Sequence, residues 1–167
     1  VNHRVPQPVV DAVFAQAHRF FDLPEAEKMA IHLTRSTNNR GYGAMLDENT
    51  DPTARGDLHE AFDLALDIPA DDPDVLAGKS LYGPNQWPEG MPGFRDDLMR
   101  YHGAIIEFGR LLFRAFALAL ELPEGFFDDK IARPLATMRI LHYPPQLGVI
   151  DEKQIGIGAN SDYECFT

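Results

Sequence analysis

One cysteine, Cys165, in 167 residues leaves no room for an internal disulfide framework and suits a reducing cytoplasm. Basic residues are scarce: 15 lysines and arginines stand against 26 aspartates and glutamates, for a formal net charge of −11. Such a balance argues against nucleic acid or an anionic membrane as the main partner, because neither phosphate-rich surface attracts an acidic protein. No run approaches the roughly 18 uninterrupted apolar residues of a membrane span, and no signal peptide is visible. Gly156, Ile157 and Gly158 superficially suggest a dinucleotide loop, but no third glycine follows at the required spacing and no helix pattern begins there. A Gly-x-Ser-x-Gly elbow and a phosphate-binding loop are both missing from the sequence. What remains is an ordinary globular composition, 44% hydrophobic and 25% charged. The length is that of one domain, able to bury roughly two thirds of its unfolded surface.

Apolar periodicity supplies the elements. Residues 6 to 21 predict a helix with Pro6 near its start and Val9, Val13, Ala17 and Phe20 on one stripe. A second start follows at Pro24, with Glu25 and Glu27 where the helix dipole favours acids. Residues 34 to 57 are polar and turn-rich and predict a long loop around a Gly41-Tyr42-Gly43 island. Residues 60 to 67 alternate, with Phe62, Leu64 and Leu66 facing one way and Asp63, Ala65 and Asp67 the other, as in a strand. Five prolines between residues 69 and 93 (Pro69, Pro73, Pro84, Pro88 and Pro92) predict an irregular connection. Phe94, Leu98, Tyr101, Ile105, Phe108, Leu112, Ala115, Ala119 and Leu122 recur at helical spacing. They predict an amphipathic helix roughly 40 Å long, ended by Pro123 and packed on a sheet rather than in a coiled coil. Residues 138 to 143, 155 to 159 and 163 to 166 predict three strands.

The last segment holds the most suggestive chemistry. In extended backbone, residues two apart point to one side, so Asn160 and Asp162 can converge as two metal ligands would. A His-x-Asp pair completed by a distant histidine is the facial triad of non-haem Fe(II) oxygenases. Here Asn160 stands where that pattern has histidine, and the alternative for Asp162 is a surface aspartate in a turn.

Taken in order, these segments resemble the isopenicillin N synthase-like family of 2-oxoglutarate- and Fe(II)-dependent oxygenases. Asn2-His3-Arg4-Val5-Pro6 is similar to the family's Asn-His-Gly-Val/Ile, with Arg4 replacing the glycine. Phe20-Phe21-Asp22-Leu23-Pro24-Glu25-Ala26-Glu27-Lys28 resembles its Phe-Phe-x-Leu-Pro-x-x-x-Lys segment. Arg40-Gly41-Tyr42, Asn49-Thr50-Asp51-Pro52 and Glu60-Ala61-Phe62-Asp63 are similar to its long loop and next strand. Met138-Arg139-Ile140-Leu141-His142-Tyr143-Pro144-Pro145 resembles the strand before the metal motif.

The resemblance implies an α+β fold, with a double-stranded β-helix (jelly roll) core, N-terminal helices and one long backing helix. It implies a single, incomplete domain over 1–167: a helical and loop part over 1–134, then the start of the jelly-roll core with the metal motif over 135–167. A first residue that is not methionine fits a chain cut from something longer. The distal iron-binding histidine and the Arg-x-Ser pair that grips 2-oxoglutarate in the family would lie beyond Thr167.

By the same resemblance Asp162 is an Fe(II) ligand and Asn160 occupies the position of the family's first histidine. Tyr143 falls where a tyrosine hydroxyl meets the co-substrate carboxylate, and Arg40 and Tyr42 fall in a segment that nears the substrate pocket in some relatives. His142 points away from Tyr143 and is expected to pack in the strand. His3, His18, His32, His59 and His102 show no ligand spacing, and Cys165 is expected to be an inert strand residue. The implied activity is a dioxygenase that uses Fe(II), O2 and 2-oxoglutarate on a C–H bond of a small organic molecule, with release of succinate and CO2. Two alternatives stand beside it: an oxidase that needs no 2-oxoglutarate, and a catalytically silent relative that keeps the fold for binding.

Overall fold

A computed structural model describes residues 3–49, 53, 56–147, 156–158, 161 and 165. Helix α1, Gln7–Phe21, begins on Pro6 and closes before Leu23 and Pro24, where the proline disfavours helical backbone in the residue preceding it. Helix α2, Glu25–Met29, follows at once, and a 3-10 turn covers Leu33–Arg35. Three strands, β1 Gly41–Gly43, β2 Glu60–Leu64 and β3 Met138–His142, form an antiparallel sheet in the order β1-β2-β3. The short helix α3, Pro73–Leu76, lies in the proline-rich connection, and α4, Phe94–Ala119, packs on α1 and meets the sheet through Phe94 and Leu98 at its start.

Register sorts the sheet into two faces. Tyr42 pairs with Phe62 and Phe62 with Ile140, Glu60 with His142, and Leu64 with Met138, so these side chains share the helix-facing side. Phe20 from α1 and Phe94 from α4 meet Phe62 there, with ring centroids 5.0 and 5.2 Å from it. Gln16 ties α1 to α4 through a 2.8 Å bond to the Asp97 carboxylate. On the opposite face Asp63 pairs with Arg139 and Ala61 with Leu141. All five residues of β2 are buried, so both of its faces are covered.

Four expectations need correction. The Gly41–Gly43 island is a strand, not loop. The strand at Glu60 ends at Leu64 rather than at residue 67; beyond it Asn85 takes the place of a neighbouring strand, accepting from Ala65 N at 3.0 Å and donating to Ala65 O at 2.8 Å. The long helix stops at Ala119, before Pro123, because Glu121 turns left-handed (φ 59°) and Leu122 N–H bonds back to Ala117 O, closing a Schellman-type end. Finally, Gly156 and Ile157 form a bend rather than strand, and Cys165 is exposed, also in a bend. The rest of the segments predicted as strands over 155–159 and 163–166 lies outside the described residues.

Candidate functional site

Two polar clusters occupy the two faces of the sheet. On the helix-facing side the Glu60 carboxylate is almost fully buried and accepts from three groups. Lys28 Nζ and the Tyr42 hydroxyl each lie 2.6 Å from Oε2, and His142 Nδ1 lies 2.7 Å from Oε1. Burial pushes the Glu60 carboxyl up, and the hydrogen bonds from Lys28, Tyr42 and His142 more than offset it, leaving it below the ordinary glutamate range. Burial, then the bond to Glu60, raises the Tyr42 phenol. His142 also stacks on Phe21, with centroids 5.0 Å apart. Lys28, Tyr42 and Glu60 are buried here, while the His142 side chain packs in the strand at the cluster's edge and stays 39% exposed.

The other face carries Arg139, which grips Asp63 with two bonds of 2.7 Å and reaches Glu48 Oε2 with a third, also 2.7 Å. Burial raises the Asp63 carboxyl despite this partner, while the bond to Asp63 raises the Arg139 guanidinium and keeps it charged. Beside this pair, His59 Nδ1 lies 2.7 Å from the Gly156 carbonyl oxygen and Gly158 N–H donates to Asp57 Oδ1 at 3.2 Å. The Tyr143 ring packs on the same backbone. A Cβ added to Gly156 would sit 2.9 Å from Tyr143 Cε1, so glycine is what lets the chain pass there. Tyr143 itself is 48% exposed, its ring 5.7 Å from that of His59.

The expected site residues are placed unevenly. Asn160 and Asp162 lie outside the described residues, although Gly156–Gly158, the segment leading to them, lies against this second face. Tyr143 is adjacent to that segment. Arg40 and Tyr42 are each 2% exposed. The Arg40 guanidinium bonds to the carbonyls of Asn39 and Leu81, and the Tyr42 hydroxyl bonds to Glu60. No local pattern in the sequence singles out Asp57 or His59, because their contacts span 101 and 97 residues.

Among the described residues no group of three histidine, cysteine or acidic side chains could hold a metal ion. The donor chemistry of the sequence fits Fe(II) at Asp162, a hard anionic oxygen, and fits it poorly at Asn160, whose amide oxygen is a weaker donor than imidazole nitrogen. Among the described residues no helix is long and apolar enough to cross a membrane.

Comparison with known proteins sets this geometry in a family. Residues 1–90 match the family described as non-haem dioxygenase in morphine synthesis, N-terminal. The chain is 38% identical over 170 residues to the 2-oxoglutarate-Fe(II) type oxidoreductase hxnY of Emericella nidulans, a match covering 99% of this chain and 49% of that protein. A 2OG-Fe(II) oxygenase family protein from Caulobacter crescentus shares the fold with a TM-score of 0.73 at 26% identity, over 85% of this chain and 45% of its own. A full-length Neurospora crassa protein, solved in complex with alpha-KG and thymine, gives 0.67 at 25% identity, over 84% and 43%. The chain thus spans about half the length of the curated relatives it matches. With a family match over more than half its residues and a relative aligned along nearly all of them, this chain belongs to the isopenicillin N synthase-like family of 2-oxoglutarate- and Fe(II)-dependent oxygenases.

Proposed function

We propose that the protein is an Fe(II)- and 2-oxoglutarate-dependent dioxygenase acting on a C–H bond of a small organic molecule. The single observation that carries this reading is the alignment of nearly the whole chain with a 2-oxoglutarate-Fe(II) type oxidoreductase. The packing of Gly156–Gly158 against Tyr143 and His59 supports a site on the face of the sheet away from the helices. In this reading residues 135–167 open a jelly-roll core and 1–134 form the helical and loop part of the same single domain. Asp162 would hold the iron, with the residue at position 160 as its neighbour ligand. Bound iron would supply the coordination positions at which O2 and the co-substrate react. Tyr143, exposed enough for its hydroxyl to reach a ligand, would donate to the 2-oxoglutarate carboxylate. Arg139, held by Asp63 and Glu48, braces the strand that presents Tyr143. A small-molecule substrate fits the acidic charge and the thymine bound by the Neurospora crassa protein. The single cysteine fits a cytoplasmic setting.

Asn160 specifically favours one second reading, a relative that binds ligands without turnover. In the full-length protein, oxygen consumption should require 2-oxoglutarate and yield succinate in equal amount; uptake without it would point to an oxidase. Anaerobic titration should show that Asn160→His raises Fe(II) affinity and turnover together, since imidazole is the stronger donor at one of three protein ligands, while Asp162→Ala abolishes both. If neither substitution alters Fe(II) binding, the binding relative is the better description.

A further inference from the structure

We infer that Asp57 and His59 form a two-point clamp that positions the segment carrying residues 160 and 162, an inference that rests on reading this segment as the metal motif. The two residues stand two apart in the approach to β2, and their side chains reach the same passing stretch of chain. Their partners, Gly158 N–H and Gly156 C=O, are also two residues apart. One contact accepts and the other donates. Because the partner of His59 Nδ1 is a carbonyl oxygen, that nitrogen carries the proton.

Both residues are 3% exposed, so neither bond can be exchanged for one to water without cost. A single bond would let the segment pivot; two, spaced along it, fix both its height above the sheet and its direction. The clamp is itself braced. The Glu48 backbone carbonyl accepts from Asp57 N–H at 2.7 Å, and Glu48 Oε2 takes the third Arg139 bond. Glu48 thus links the clamp to the Arg139–Asp63 pair spanning β2 and β3. Gly156 allows this closeness, lying against the Tyr143 ring while its carbonyl meets His59. Residue 160 follows Gly158 by two positions, and metal ligands must be held to within about 0.5 Å to be useful. Asp57 and His59 are positioning residues in this account and touch no reacting atom.

The test uses the full-length protein. Asp57→Ala and His59→Leu each remove one point of the clamp; Asp57→Asn keeps an acceptor, and His59→Asn places an amide nitrogen near the position of Nδ1. Hydrogen–deuterium exchange of the peptide over 155–162 should accelerate about tenfold or more in the Ala and Leu variants while peptides of β2 and β3 keep their protection. Anaerobic Fe(II) affinity should fall about 10-fold in the same variants, the lower end for residues that orient metal ligands, and stay within about threefold of wild type in the Asn variants. Where a disruptive variant fails to fold, His59→Gln, which moves the donor by about one bond, takes its place against His59→Asn. Unchanged exchange over 155–162 in the disruptive variants overturns the clamp, whatever the metal titration gives. Accelerated exchange in a protein whose wild type binds no Fe(II) upholds the clamp and overturns the metal reading instead.

Discussion

Glu60 concentrates much of the protein's buried charge on one carboxylate. Taking Lys28 and Glu60 out of water is unfavourable, and the pair is tolerable only because the remaining lone pairs are filled by Tyr42 and His142. Removing one member leaves the other uncompensated. Glu60→Gln should therefore destabilise the full-length protein by about 3 kcal/mol. The pH dependence follows from sign. The folded carboxyl titrates below the unfolded one, so in acid the unfolded chain binds more protons, and Glu60's contribution is complete above the ordinary glutamate range and fades as pH falls through the lowered value. Asp63, raised by burial, acts in the opposite direction over its own range. Urea midpoints at neutral pH and in that acidic window should show wild type losing more on acidification than Glu60→Gln. Equal losses would remove Glu60 from the acid response.

At the scale of elements, legibility tracked periodicity. Helix α1, the body of α4 and strands β2 and β3 each repeat apolar residues at a spacing that only one backbone geometry can bury, and they lie where the sequence places them except that both strands end earlier than expected, β2 at Leu64 and β3 at His142. Strand β1 has no such signal: two of its three residues are glycine, and its strand character comes from pairing with β2 and from Tyr42 N–H bonding to Ile31 O. The irregular stretch was legible as irregular, but not its anchoring by Asn85 and by Gln86, whose amide reaches the carbonyls of Ile31, His32 and Arg40. The site was half legible for the same reason. Asp162 and Tyr143 are proposed from separate local motifs in the sequence, whereas His59 and Asp57 enter the proposal only through contacts 97 and 101 residues away. Gly41 tests the β1 account. It sits at φ 114°, and an added Cβ would fall on the Ile31 carbonyl oxygen and 2.7 Å from Gln86 Nε2. Backbone strain of about 1–3 kcal/mol plus that clash should make Gly41→Ala lower the thermal midpoint by several degrees or more. A midpoint within about a degree of wild type would mean that β1 tolerates a side chain there.

The whole molecule is lopsided. Around Phe20, Phe62, Phe94 and Leu98 the core is closed, but along the second half of α4 and the turns after it apolar side chains face outward: Leu111, Phe116, Leu118, Phe126 and, at 64% exposure, Leu120. Beyond His102, Ala117 alone is fully buried in α4. Leu111 and Leu118, seven residues apart, share one side of the helix, and Phe116 and Leu120, four apart, share another, so two apolar stripes meet water here. Strand β3 is also an outer strand of the described sheet, with one ladder partner, whereas the outer edge of β1 is met by the bridge between His32 and Tyr42; an open edge invites pairing between chains. The 167-residue chain produced alone should therefore bind a hydrophobic dye such as ANS, give weak near-UV circular dichroism and associate with rising concentration. Replacing Leu118 and Leu120 by lysine should reduce dye binding and association in that chain by interrupting both stripes without touching the core around Phe62. If instead the unmodified chain is monomeric, melts in one cooperative transition and leaves the dye dark, its outward apolar face is compatible with water as it stands.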